Sequence, residues 1–128
     1  MSYTMDKQVD GNFDETVGHA TAALKEEGFG VLCDIDVQQT FEEKLDEEFR
    51  QYRILGACNP ALAREGLESE TKLGVLLPCN VVVYETDDGE IGIRAVDPEA
   101  LLSVTDNPDL DPIADDVRGR FQSVLNSL

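Results

Sequence analysis

The chain has 128 residues and is strongly acidic, because ten lysines and arginines stand against 27 aspartates and glutamates, for a formal net charge of −17. This length fits one domain with a single core, and a hydrophobic fraction of 41% excludes a disordered chain. Nucleic-acid binding requires a basic stripe. The basic residues here are scattered singly among acids, so nucleic acid is not an expected partner.

The distribution of the acids indicates a surface adapted to a salty cytoplasm. Self-repulsion at this charge destabilises a compact fold in dilute buffer, whereas at about 1 M salt the Debye length falls to roughly 3 Å. Acidic residues occur in every segment, which favours this interpretation. A cationic partner or an acidic metal-binding face is the alternative.

No segment has the composition of a membrane span or a signal peptide. No stretch approaches the roughly 20 apolar residues that a span needs, and residues 1–7 lack the basic and apolar regions of a signal peptide. Three cysteines, an odd number, fit a reducing compartment better than a disulfide framework. We therefore expect a cytoplasmic protein with no membrane partner.

The first third of the chain predicts a strand, a helix and a second strand. The strand spans residues 3–9. Asn12, with Glu15 three residues later, forms a capping box that opens a helix, and Gly28 ends that helix. Residues 31–37 alternate as a half-buried strand. Its apolar face is predicted to carry Val31, Cys33, Ile35 and Val37, with Cys33 as core filler.

Two more helix starts and a strand follow. Thr40 and Glu43 form a second capping box, which predicts a short helix from Thr40. The inner face of that helix is predicted to carry Phe41, Leu45 and Phe49. Residues 51–58 alternate as a third strand. Asn59 followed by Pro60 is typical of a helix start, so Cys58 lies at a strand end just before a helix N-terminus.

The last part of the chain predicts a hairpin and two helices. Pro78 cannot donate to a ladder, so it separates residues 73–77 from a strand at 79–85. Residues 87–89, Asp-Asp-Gly, turn that strand into another at 91–96. Pro98 and Pro112, each after an aspartate, open the two helices. The order predicts an α+β fold in a single domain, 1–128, with a mostly antiparallel sheet and helices on one face.

The most specific motifs are Gly56-Ala57-Cys58-Asn59-Pro60 and Leu77-Pro78-Cys79-Asn80. In one interpretation the thiols of Cys58 and Cys79 share a pocket, with the amides of Asn59 and Asn80 as donors for an anionic or carbonyl-bearing ligand. The start of a helix beside Cys58 would favour its thiolate. In the other, the cysteines are small apolar residues and the asparagines cap a helix and close a turn.

These motifs and four other segments resemble the "domain of unknown function 302" family over nearly the whole chain. The other segments are Phe13-Asp14-Glu15-Thr16-Val17, Glu27-Gly28-Phe29-Gly30-Val31-Leu32, Val81-Val82-Val83-Tyr84-Glu85 and Ala95-Val96-Asp97-Pro98. The resemblance implies a curved antiparallel sheet backed by helices, in a layout related to TATA-binding-protein-like folds, and commonly a homodimer. It implies no established activity.

Other candidate chemistries have weaker support. Zinc requires four ligands with a close-spaced pair, whereas the cysteines lie 25 and 21 residues apart and His19 is the only histidine. We therefore expect no metal site and no cofactor. His19 is interpreted as a solvated side chain rather than a catalytic base. Asp34 and Asp36 share a strand face, but in so acidic a chain we interpret that face as solvated.

Two function classes remain open. The first is a dimeric module that binds a small ligand at Cys58, Asn59, Cys79 and Asn80. The second is a thiol-dependent enzyme or redox protein that uses Cys58 and Cys79. We favour the first because no general base is evident, and we expect the two thiols to be neighbours in space. The uninterrupted run Val81-Val82-Val83 needs cover on both faces, which also favours a second subunit.

Overall fold

One five-stranded antiparallel sheet organises the chain, and the computed structural model describes residues 2–128 of it. The strands are β1 (Thr4–Val9), β2 (Gly30–Asp36), β3 (Tyr52–Cys58), β4 (Cys79–Glu85) and β5 (Ile91–Val96). Their order across the sheet is β1-β5-β4-β3-β2, and every neighbouring pair is antiparallel. The α+β class predicted from the sequence is confirmed.

Four helices cover one face of this sheet. They are α1 (Phe13–Glu26), α3 (Pro60–Ser69), α4 (Pro98–Ser103) and α5 (Asp111–Ser127), with 3-10 turns at Thr71–Leu76 and Pro108–Leu110. The remaining helix, α2 (Val37–Leu45), places Phe41 beside Ile35 and Ile54 on the opposite face. The inward side chains of β3, β4 and β5 form the floor of the core. Each is at most 2% exposed: Leu55, Ala57, Val81, Val83, Ile93 and Ala95. Leu24 of α1 and Phe121 of α5 are fully buried above them.

The ends of α1 follow the predicted chemistry. The Asn12 side chain accepts a hydrogen bond from the Glu15 backbone N–H at 2.9 Å, which satisfies one of the unpaired donors of the first turn. Gly28 has a φ of 85°, the left-handed conformation that commonly ends a helix. Arg120 of α5 donates to the Glu27 carbonyl at 2.8 Å and so ties this end of α1 to the last helix.

A bulge in β2 corrects the predicted face of that strand. Val31 pairs with Ala57, but Cys33 pairs with the next residue of β3, Gly56. The extra residue, Leu32, moves every later side chain to the opposite face. Val31 therefore packs against the core, whereas Cys33 is exposed. The prediction that Cys33 fills the core is wrong for this reason.

The helix α2 starts four residues earlier than predicted. Its N-cap is Asp36, whose Oδ1 accepts from the Gln39 backbone N–H at 3.0 Å. Thr40, the predicted cap, lies within the helix and donates its hydroxyl to the Asp36 carbonyl instead. Along residues 37–45 no side chain is buried, and Leu45 is 58% exposed, so the predicted inner face of this helix is not a core face.

The sheet face turned away from α1, α3, α4 and α5, here called the outer face, carries an apolar row. Pairing and alternation place Ile35, Ile54 and Val82 on it, side by side across three strands, and Arg94 of β5 is next in line. Aromatic rings extend the row. The ring centroids are 5.0 Å apart for Phe41–Phe49, 6.2 Å for Phe49–Tyr52 and 5.9 Å for Tyr52–Tyr84. Ile35 is 47% exposed, so this face is only partly covered within one chain.

In the part of the chain that the structure describes, every helix is too short or too polar to cross a bilayer.

Candidate functional site

Cys58 and Cys79 lie at the same end of the sheet on neighbouring strands. Cys58 ends β3, and α3 with the following 3-10 turn returns the chain so that Cys79 begins the antiparallel strand β4. Cys79 pairs with Ala57. Paired Cα atoms lie at most about 5.5 Å apart and consecutive ones 3.8 Å, so the Cα atoms of the two cysteines are within about 9 Å. The predicted proximity of these residues is confirmed.

A pocket of about 300 Å³ opens beside the two cysteines, between the sheet and helices α3, α4 and α5. Sixteen residues line it: Leu32, Ala57, Cys58, Asn59, Leu62, Ala63, Leu67, Leu73, Leu77, Pro78, Cys79, Pro98, Leu101, Leu102, Ile113 and Val117. Among residues 2–128, those that line this pocket include no aspartate, glutamate, lysine or arginine. Its volume is at the lower end of the range typical of small-molecule sites.

The thiol of Cys79 is in its neutral form at physiological pH. Burial raises the pKa of this thiol to about 11, and the nearby Cys58 adds to the shift. Burial acts in this direction because a thiolate loses its hydration in apolar surroundings. A thiol of this kind is a poor nucleophile near pH 7.

Asn59 serves the helix that follows it. Its Oδ1 accepts a hydrogen bond from the Leu62 backbone N–H at 3.2 Å, so Asn59 is the N-cap of α3. Its Nδ2 points toward Gly28 and lies 3.0 Å from where a Cβ on that glycine would be. Asn59 thus lines the pocket, but its amide oxygen is already committed to the helix.

Asn80 lies outside the pocket, which corrects its predicted place in the site. It is exposed and pairs with Gly56, whereas its neighbour Val81 points into the core. Because successive side chains of a strand alternate, Asn80 is on the outer face. The structure therefore brings Cys58, Asn59 and Cys79 together and leaves Asn80 on the other side of the sheet.

Comparison with known proteins identifies the family. The family model "Domain of unknown function DUF302" matches residues 5–128. The chain belongs to this family. It is also similar to a crystal structure of an uncharacterized conserved DUF302 protein from Bacillus stearothermophilus, at 31% identity and a TM-score of 0.92, with 99% of this chain and 98% of that one covered. No curated protein shows significant sequence similarity to the chain.

The remaining sequence candidates lie away from the pocket of this DUF302 chain. His19 is exposed on α1 and does not line the pocket. Asp34 forms an ion pair with Arg53, with Arg53 Nε 2.7 Å from Asp34 Oδ1, and Asp36 caps α2. Among the described residues, no group of three or more His, Cys, Asp or Glu side chains is arranged to hold a metal ion.

Most of the pocket in this chain consists of residues that the sequence did not single out. The aliphatic wall comes from Leu62 and Ala63 of α3, Leu101 of α4, and Ile113 and Val117 of α5. Helical spacing predicts that Ile113 and Val117 face inward, but that signal is the same for a residue that fills a core and one that lines a cavity. Pattern alone therefore could not find this part of the site.

Proposed function

We propose that the protein is a small-ligand-binding module whose pocket accepts neutral, apolar molecules. The composition of the pocket supports this proposal most directly. A chain with 27 acidic residues surrounds the pocket with aliphatic side chains and two thiols, and among residues 2–128 no charged side chain lines it. A charged ligand would lose its hydration there without gaining an ionic partner, which costs several kcal/mol.

The driving force for such a ligand is burial of apolar surface. Removing about 200 Å² of apolar ligand surface from water contributes about 5 kcal/mol before the entropic cost of association is subtracted. Fixed polar groups would add specificity, but the amide oxygen of Asn59 already binds the Leu62 N–H. The pocket therefore selects by size and polarity, and the anionic or carbonyl-bearing ligand expected from the sequence is replaced by an apolar one.

Thiol catalysis is the less favoured function. A nucleophilic cysteine requires a thiolate and an adjacent base. Burial keeps Cys79 protonated by raising its pKa to about 11. His19, the single histidine of the chain, is exposed on α1 and does not line the pocket.

The binding experiment uses the neutral fluorophore phenyl-naphthylamine in high salt. Wild-type protein is expected to enhance its fluorescence saturably, with one site per chain. Ala63→Phe should abolish this signal because Ala63 lines the pocket and a phenyl group fills it. Ala61→Phe is the matched control, since Ala61 is exposed on the same helix and does not line the pocket. Equal binding by both variants would refute the proposal.

We further propose that the functional unit is a homodimer in which the outer faces of two copies meet. This face is a hydrophobic row in an otherwise acidic protein, and its central residues Ile54, Val82 and Tyr84 are only half-buried within one chain. Arg94 lies over the Tyr84 ring, 5.4 Å from its centroid, and its charge is balanced by Asp6, whose Oδ1 is 3.7 Å from Arg94 Nε. A second acidic copy meets the least repulsion on such a surface.

The proposed setting is the cytoplasm. Three cysteines, an odd number, fit a reducing compartment better than a disulfide framework.

A further inference from the structure

We propose that Cys58 and Cys79 together bind one soft monovalent metal ion of the Cu(I) type as a two-thiolate site. This proposal does not rest on the apolar-ligand function, because it concerns one wall of the pocket and not the pocket volume. In the proposed apolar-ligand site the two thiols only contact the ligand, whereas here they act as metal ligands.

The two thiols belong to residues that lie on one wall of the pocket. Cys58 and Cys79 lie on adjacent strands with their Cα atoms within about 9 Å, and both line the same pocket. A single cation on this wall of the pocket would have one sulfur ligand from each strand.

The number and type of ligands identify the metal. Thiolates are soft ligands that select Cu(I) over harder cations. Zinc prefers four ligands in structural sites, and within the described residues no third or fourth His, Cys, Asp or Glu joins the pair. A closed-shell monovalent cation that accepts two sulfur ligands fits this wall.

The dipole of helix α3 offsets part of the cost of a negative two-thiolate centre in this apolar pocket. Cys58 directly precedes Asn59, the N-cap of the ten-residue helix α3, so this cysteine lies at the positive end of that helix. The overall charge of −17 further favours capture of a cation.

The binding step is balanced without any redox partner. Each Sγ–H bond is replaced by an Sγ–Cu bond, both thiol protons pass to solvent, and copper stays in the +1 state. Because binding releases protons, the affinity rises with pH in the range where the thiols are still protonated.

The test is an anaerobic titration of the full chain with Cu(I), in competition with the chelator bicinchoninate. We expect one Cu(I) per chain with two sulfur neighbours by X-ray absorption. Loss of one hydrogen bond to a metal ligand typically costs 10–100-fold in affinity, so Cys58→Ser and Cys79→Ser should each weaken binding by more than about 100-fold. Cys33→Ser is the matched control, because Cys33 is exposed on the outer face.

Circular dichroism shows whether each variant is folded, so that a loss of Cu(I) binding can be assigned to the missing thiol. If Cys79→Ser fails to fold, Cys79→Ala replaces it. Three results would overturn the proposal. The wild type does not compete with the chelator for Cu(I), folded variants at Cys58 or Cys79 bind Cu(I) as tightly as the wild type, or Cys33→Ser loses Cu(I) binding. Phenyl-naphthylamine binding is measured separately, so a failure of either proposal leaves the other standing.

Discussion

Cys79 lies directly opposite Ala57 in the ladder between β3 and β4. This register places the Cys79 thiol next to Cys58 and against a pocket of about 300 Å³. Residues that are separated by an entire helix in sequence thus form one wall, and the environment of that wall determines the chemistry of its thiols.

The first prediction concerns the pH dependence of stability. Burial raises the folded-state pKa of Cys79 from 9.0 to about 11, so the native state holds this proton more tightly than the unfolded state. The protonated Cys79 thiol therefore contributes to the free energy of unfolding. This contribution is fully present below pH 9 and is lost as pH rises toward 11. Relative to Cys79→Ala, the wild type should lose about 2 kcal/mol of unfolding free energy between pH 8 and 10.5.

Urea unfolding of both proteins in high salt measures this difference, because the other titrating groups are common to the two chains. If the unfolding free energies of wild type and Cys79→Ala changed in parallel with pH, the raised pKa of Cys79 would be contradicted.

The second prediction separates the roles of the two asparagines. Asn59→Ala should cost about 1 kcal/mol of unfolding free energy, because the N-cap hydrogen bond to Leu62 is lost. Asn80→Ala should change stability by less than about 0.5 kcal/mol, since Asn80 is exposed. Neither substitution should abolish phenyl-naphthylamine binding. Loss of probe binding by Asn80→Ala would show that the site extends to the outer face.

The third prediction tests the homodimer. Ile35→Glu places a charge on the outer face at a residue that is 47% exposed, and it should convert a dimer into a monomer of about 14 kDa. Val75→Glu is the control, because Val75 is 86% exposed on the 3-10 turn and makes the same change of charge. Light scattering in high salt reports the mass. A wild-type protein that remains monomeric across concentrations rules out this interface.

The fourth prediction is that salt stabilises the fold. The net charge of −17 produces self-repulsion that molar salt screens, so Tm should rise as KCl increases from low to molar concentration. The same thermal scans in glycerol of equal water activity control for solvent effects other than charge screening. A Tm that is flat or falls with KCl is incompatible with adaptation to salt.

Local chemistry made much of the fold predictable. Asn12 and Asn59 accept hydrogen bonds at the helix starts where the sequence placed them, because a cap depends on residues within one turn. Pro78 separates a 3-10 turn from β4, also as expected. These signals require no knowledge of which strands pair.

The errors arose where pairing decides the outcome. The bulge at Leu32 exists only in the register between β2 and β3, and it moved Cys33 out of the core. Thr40 satisfied a capping pattern, but Asp36 could cap the same helix one turn earlier. The outer position of Asn80 follows from its alternation with the buried Val81, a signal that the sequence did contain.

The most direct test of the apolar pocket is a heteronuclear NMR titration of the protein with toluene in high salt. We predict saturable shifts with one site per chain at the methyl groups of Ala57, Ala63 and Val117, which line the pocket. The methyl groups of Ile54 and Val82 on the outer face should not respond. Shifts that grow without saturation, or that centre on Ile54 and Val82, would contradict the proposed function.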